Sequence, residues 1–193
     1  MAISAAKHPK RFDGLLQHWQ RYAGEFRGVE PRDVRGYNRG YDIAFYESGD
    51  GAMVTAGTNG LRFQRYVTLK EEELACSVHA HQGEAARYLV DVTASLVLEK
   101  ERGLQYGDVF GNSQPLLAGT QIYGVLGAPH PYLDEGFDLF RAADGEILLQ
   151  IVTLIPVTRA EIDFIAAHGY EKLGAIWQEH GTDLLDVERG SPI

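Results

Sequence analysis

Ile147-Leu148-Leu149-Gln150-Ile151-Val152-Thr153-Leu154-Ile155 is apolar at odd and even positions alike, the pattern of a strand covered on both faces. Phe137–Arg141 precedes it across Ala142-Ala143-Asp144-Gly145, whose Asp-Gly step is a hairpin signal. Residues 137–155 therefore read as a hairpin feeding a central strand, which Pro156 is expected to end. Just downstream, Thr158-x-x-Glu161 fits a capping box, in which hydroxyl and carboxylate satisfy free backbone donors at a helix start. That helix carries Ile162 and Ile165 and stops near His168-Gly169. A second, Glu171–His180, buries Leu173, Ile176 and Trp177 before Gly181.

Working back from this stretch, Gln121–Leu126 reads as a strand and 103–119 as turns. Glu73–Ala80 is a strand leading through Gly83 into a long helix, with Ala85, Tyr88, Leu89, Val92 and Leu96 on its inner face and Glu99–Gly103 closing it. Tyr41–Tyr46 and Ala52–Ala56 are strands flanking the turn Gly49-Asp50-Gly51. Phe12, Leu15, Leu16, Trp19 and Tyr22 share one face of a helix over residues 12–23, with Gly24 and Gly28 as stops; Gly28–Gly40 reads as a loop. The expected class is α+β, a mixed β-sheet packed by helices. Residues 1–40 form an N-terminal helix and loop packed on the domain, and residues 41–193 form the domain itself.

The 193 residues, 45% hydrophobic and 23% charged, suit one globular domain with a sizeable core. The single cysteine, Cys76, has no internal disulfide partner, which fits a reducing compartment and a cytoplasmic location. No apolar run approaches the ~20 residues that span a bilayer, and no apolar stretch accompanies Lys7, Lys10 and Arg11 as a signal peptide requires. No membrane association is expected. Net charge is −9, unevenly placed: residues 1–40 carry eight Lys/Arg against four acids, and the rest ten against 23. Such a body repels a phosphate backbone, so nucleic-acid binding is disfavoured, and it attracts a basic partner.

The chemistry-bearing residue types do not assemble into a catalytic motif. His79-x-His81 on a strand would aim two imidazoles one way, but a metal site needs a third ligand and the remaining histidines are scattered. Cys76 sits in an apolar strand pattern behind Glu71, Glu72 and Glu73, the wrong charge for a thiolate nucleophile. There is no phosphate-binding loop, and Gly57-Thr58-Asn59-Gly60 follows no dinucleotide pattern. Tyr37, Tyr41, Phe45, Tyr46, Phe63 and Tyr66 alternate with Arg35, Arg39, Arg62 and Arg65, read as core aromatics with exposed arginines between them. Neither cofactor nor metal is expected.

The order of segments resembles the suppressor-of-fused (SUFU-like) family. The resemblance rests on Glu73-Leu74-Ala75-Cys76-Ser77-Val78, the helix after it, Tyr106-Gly107-Asp108-Val109 and Pro115-Leu116. It continues through Leu154-Ile155-Pro156-Val157-Thr158 with Glu161, and the terminal Asp186-Val187-Glu188-Arg189-Gly190-Ser191. Thr55-Ala56-Gly57 is similar to its early strand, and the likeness covers roughly residues 40–193. Val109 stands where the family commonly has histidine, so no role of that histidine transfers. The resemblance implies a SUFU-like fold and a non-enzymatic protein-binding domain: the animal member clamps a peptide strand, and bacterial single-domain relatives look like immunity proteins that neutralise toxins. The implied partner is a protein or peptide, here a basic toxin held by occlusion. Asp108, Asp183, Asp186 and Arg189 are the candidate contact residues, with structural roles as the alternative: Asp108 fixing a turn, Arg189 pairing with Asp186. Two further readings stay open, a small metal-dependent hydrolase using His79 and His81 and a general regulatory interaction module. Oligomeric state is not readable.

Overall fold

Strand pairing around residues 147–158 organises the molecule. The computed structural model describes residues 9–34 and 36–193. Its strands are β1 (Glu25–Glu30), β2 (Asp33–Val34), β3 (Tyr37–Asn38), β4 (Asp42–Glu47), β5 (Met53–Asn59), β6 (Glu72–His79), β7 (Val109–Gly111), β8 (Ile122–Ala128), β9 (Leu139–Arg141) and β10 (Ile147–Thr158). Its helices are α1 (Leu15–Ala23), α2 (Gly83–Glu99), α3 (Arg159–His168) and α4 (Tyr170–His180). The main sheet runs β1-β4-β5-β6-β10-β8-β7, with β9 also on β10, while β2 and β3 form a separate small hairpin. Among the described strands β6 and β10 pair in parallel, Glu72–Ala75 against Gln150–Thr153, and the other strand pairs are antiparallel. This is the expected mixed sheet with helices, and the 137–155 hairpin forms as read.

β10 is covered on both faces because the helices divide between them. Val152 and Leu154 join Leu74, Cys76 and Val78 under α2, whose Leu89, Val90 and Val97 complete that core. Leu149 and Ile151 point the other way, toward Trp19 of α1 and Phe137. Ile155 and Val157 continue this second face toward Leu173 and Trp177 of α4. Trp19 lies directly over Gly57 of β5, where any Cβ would stand 2.5 Å from the indole ring.

Four local expectations need correction. β10 does not end at Pro156 but continues to Thr158, with Pro156 opposite Val125 of β8. The Pro156 carbonyl accepts from Arg189 Nη2 at 2.8 Å, so the carbonyl and the donor-less nitrogen both face away from β8, on the side β6 pairs only as far as Thr153. A missing N–H costs nothing there. In α2 the buried set is Ala86, Leu89, Val90, Thr93, Ala94 and Val97, and Tyr88 is exposed; the inner face is turned from the expected one and shares with it only Leu89. The stretch read as a loop from Gly28 contains the end of β1 and the β2–β3 hairpin. β1 is a charged edge strand with a register irregularity between Phe26 and Gly28, devices that blunt an open edge and hide the strand pattern. Finally, Gly14, at φ 92°, delays α1 to Leu15, which leaves Leu16 in solvent.

Several of the N-terminal cations are paired within the chain. Arg11 pairs with Glu71, Arg27 with Glu47 and Arg32 with Asp42. Arg39 is buried, bonded to Glu30 and Asp91. Arg62, also expected outside, meets the buried Glu73 carboxylate and lies 4.2 Å from the centre of the Phe63 ring. Glu73 also accepts from the backbone N–H groups of Gly60 (2.8 Å) and Leu61 (3.2 Å). The backbone at Gly60 and Leu61, just past the end of β5, is thus half of a carboxylate cradle.

Candidate binding cleft

The capping box read from sequence closes as expected: Thr158 Oγ1 accepts from Glu161 N, and Glu161 Oε2 accepts from Thr158 N at 2.7 Å. Glu161 is fully buried and also accepts from Trp177 Nε1 at 2.7 Å, fixing the indole of α4. Trp177 then forms, with Leu126 and Ala128 of β8 and Ile155 of β10, the apolar floor of a cleft of about 830 Å³. The walls are the inner face of α4, the Pro131-Tyr132 segment and the returning chain 181–185. That returning chain is pinned by Tyr132, whose hydroxyl donates to Thr182 O (3.4 Å) and accepts from Leu184 N (2.9 Å). Its charged lining groups are Glu171 and Asp183, with His79 beside them, and among the described residues no Lys or Arg takes part.

The sequence-predicted residues divide around this cleft. Asp183 lies on its rim, with Oδ2 2.8 Å from His79 Nε2 and Oδ1 accepting from Leu185 N at 3.0 Å. Asp186, one turn on, accepts from Gln82 Nε2 and Glu188 N, both at 2.8 Å, and these donors hold its carboxyl below the usual carboxylate range. Arg189 does not bond the Asp186 carboxylate. Its guanidinium is buried against Glu161, and only its backbone N–H reaches Asp186 O, at 3.4 Å. The deep carboxylate wins because a buried guanidinium needs a matched planar acceptor. Asp108 stands apart, accepting from Gln105 N (3.0 Å) and Arg102 Nη2 (3.0 and 3.1 Å) at a turn. The four candidates therefore do not form one patch.

The enzymatic possibilities also take definite geometry. His79 and His81 stack with ring centres 5.8 Å apart, yet His79 is engaged with Asp183. Among the described residues no three His, Cys, Asp or Glu side chains are grouped to hold a metal ion. Cys76 is fully buried, and burial pushes its thiol up to about 12. A serine–histidine contact that the sequence did not suggest joins Ser77 Oγ to His130 Nε2 at 2.8 Å across 53 residues. His130 Nδ1 accepts the backbone N–H groups of Tyr132 (3.1 Å) and Leu133 (3.0 Å), so the proton sits on Nε2 and is donated toward the serine. A general base needs the opposite tautomer. Burial also pushes His130 down to about 4, and the space beside the pair is about 10 Å³. The pair anchors the wall of the cleft.

Glu171, Gly174 and Trp177 entered the sequence reading only as parts of a helix. Their spacing along α4, with Tyr170, Gln178 and Gly181, was the available signal: one helical face that lines the cleft.

No curated protein matches this sequence. Among solved structures, the fold is similar to a SUFU (suppressor of fused protein) homologue from Neisseria gonorrhoeae FA 1090, at 16% identity and a TM-score of 0.68, covering 94% of each chain. It is also similar to a chain of the Sufu–Fu complex, at 13% identity and a TM-score of 0.66, covering 95% of this chain and 91% of that one. The family model for suppressor of fused protein (SUFU) matches residues 45–190. That span holds every segment on which the sequence resemblance rested except the last, Ser191, and the chain belongs to the suppressor of fused protein (SUFU) family.

Proposed function

We propose that this chain is a non-enzymatic protein-binding domain that acts by occlusion in the cytoplasm, an immunity-type protein whose partner is a basic toxin. The observation that carries the reading is the cleft beside α4: an apolar floor deep enough for side chains, rimmed by Glu171 and Asp183 with no lining Lys or Arg among the described residues, on a chain of net charge −9. Complementary charge speeds encounter with a basic surface, and an apolar floor supplies the desolvated contact that holds it. The similar fold in the Sufu–Fu complex is that of a protein solved with a protein partner. A regulatory interaction module is the same reading with a partner that is not a toxin.

Affinity capture from host lysate at low and high salt, with mass spectrometry of the retained proteins, tests it. One basic protein held near one-to-one and released by salt supports the toxin reading. An acidic or neutral protein held equally at both salts refutes the electrostatic part and leaves the regulatory module. Full retention by the Glu171→Lys/Asp183→Lys variant removes the cleft from the mechanism.

A further inference from the structure

Gly174 stands inside α4, on the face toward the cleft. Glycine is the poorest helix former after proline, and many glycines of this fold answer a close approach or a left-handed backbone. A Cβ at Gly57 would lie 2.5 Å from the Trp19 ring, one at Gly124 2.5 Å from Phe110 O, and one at Gly136 2.2 Å from the Tyr22 hydroxyl. At Gly174 a Cβ would meet nothing within 4 Å, and the backbone there is not left-handed. Among the described residues nothing requires glycine at this position. Its effect is to leave the α4 backbone bare where the cleft is open.

Two further features describe what approaches it. The floor of Leu126, Ala128, Ile155 and Trp177 is apolar, and the volume of about 830 Å³ accommodates a large side chain. The charged groups on the rim are the two carboxylates, Glu171 one turn before Gly174 and Asp183 on the facing chain, half exposed. The open face runs from Tyr170 to Gly181, about 16 Å of helix at 1.5 Å per residue, which matches about five residues of extended polypeptide at 3.3 Å each and exceeds a small amine.

We infer that the cleft receives a short segment of a partner polypeptide, with a bulky apolar side chain seated on Trp177, its backbone passing close over Gly174, and an adjacent Lys or Arg facing Glu171 and Asp183. This rests on the protein-binding reading and specifies the chemistry it uses.

The test is selection of a displayed random heptapeptide library on the full chain, followed by fluorescence anisotropy with a synthetic peptide of the enriched sequence. Enriched peptides are expected to place Trp, Phe or Leu within two positions of Lys or Arg. Binding is expected to fall at least tenfold on Gly174→Leu, whose thermal midpoint stays level or rises. It is expected to fall several-fold on Glu171→Gln/Asp183→Asn, more so at low salt. If Gly174→Leu does not fold, the carboxylate variant decides alone. No enrichment, enrichment of acidic or cation-free peptides, or unchanged binding to a folded Gly174→Leu overturns the inference; so does phenethylamine binding as tightly as the peptide, which would make the ligand a free amine. Protein capture that is identical for wild type and Gly174→Leu sinks this inference while the protein-binding reading stands.

Discussion

Arg189 and Glu161, 28 residues apart, are joined by two hydrogen bonds, Nη1 to Oε1 at 2.7 Å and Nη2 to Oε2 at 3.0 Å. The same carboxylate caps α3 and holds the Trp177 indole, so one buried ion pair ties the end of the chain to the floor of the cleft. Removing either partner strands a charge in the interior, at a cost of about 3–5 kcal/mol. Glu161→Gln and Arg189→Met should each lower stability by roughly that much in urea unfolding, and the double variant by less than the sum. Glu161→Gln should in addition shift Trp177 emission to the red. Additive losses would mean that the two side chains do not act as a pair.

Gly57 and Trp19 make a second tight relationship, the seat of α1 on the sheet. Gly57→Ala inserts a methyl where 2.5 Å is available and should destabilise by about 1–3 kcal/mol through overpacking. Trp19→Ala should cost about 3–5 kcal/mol by leaving a cavity. Combined, the second change should relieve the strain of the first, so the Gly57→Ala penalty largely disappears in the Trp19→Ala background. A penalty that persists there would place the clash elsewhere.

Stability should respond to pH through Glu72. Burial pushes its carboxyl up to about 7, against an ordinary value of 4.5. The folded chain therefore keeps a proton that the unfolded chain releases, so stability falls as pH rises from about 4.5 to about 7. The Thr68 hydroxyl, 2.8 Å from Lys70 O, also lies 3.0 Å from Glu72 Oε2, and Leu104 N donates to Glu72 Oε1 at 3.0 Å. Glu72→Gln keeps an acceptor for Leu104 N and should exceed wild type in stability at pH 8 by an amount on the order of 3 kcal/mol, with the gain shrinking as pH falls from about 7 to about 4.5. His130 runs the other way: pushed down to about 4 from 6.5, it takes away stability as pH falls through that interval. Urea titrations at pH 5, 6.5 and 8 separate the two, and a gain independent of pH would refute the protonated Glu72.

Asp183 and Asp186 should behave differently despite their proximity. Asp186 fixes the returning chain through Gln82 and Glu188 N, so Asp186→Ala should speed amide exchange over residues 182–188. Asp183→Asn retains an oxygen toward Leu185 N and should leave exchange there within twofold of wild type while weakening capture of a basic partner. Equal exchange in both variants would place the anchor of this segment elsewhere.

The hairpin at Asp144-Gly145, the capping box and the doubly covered strand were legible because each depends on residues a few positions apart. Pro156 misled because whether a proline ends a strand depends on which neighbouring strand is still present, a fact located around Thr153 and Ala75. Arg39 and Arg62 were expected in solvent because their carboxylate partners lie in other elements, Asp91 in α2 and Glu73 in β6. Asp183 was singled out as a contact candidate and lies on the rim, but the cleft itself is made by α4, β8, β10 and the returning chain together. No single stretch announces it. Arg189 was singled out with the wrong partner, since the nearer acid in sequence is not the one enclosed with it.

The parallel join of β6 to β10 sets an order on events during synthesis. β1, β4, β5 and β6 can pair as soon as residue 79 has emerged, because each finds its neighbour nearby in the chain. Glu72–Ala75 then waits for Gln150–Thr153, with α2 and most of the cleft-bearing half still to be made. Contacts that span so many residues form late and slowly, and until they do β6, paired on one side with β5, leaves its other edge open at the margin of a half-built sheet. The nascent chain passes through a stage at which its own centre is an exposed edge, and the return of β10 is what turns that edge into an interior.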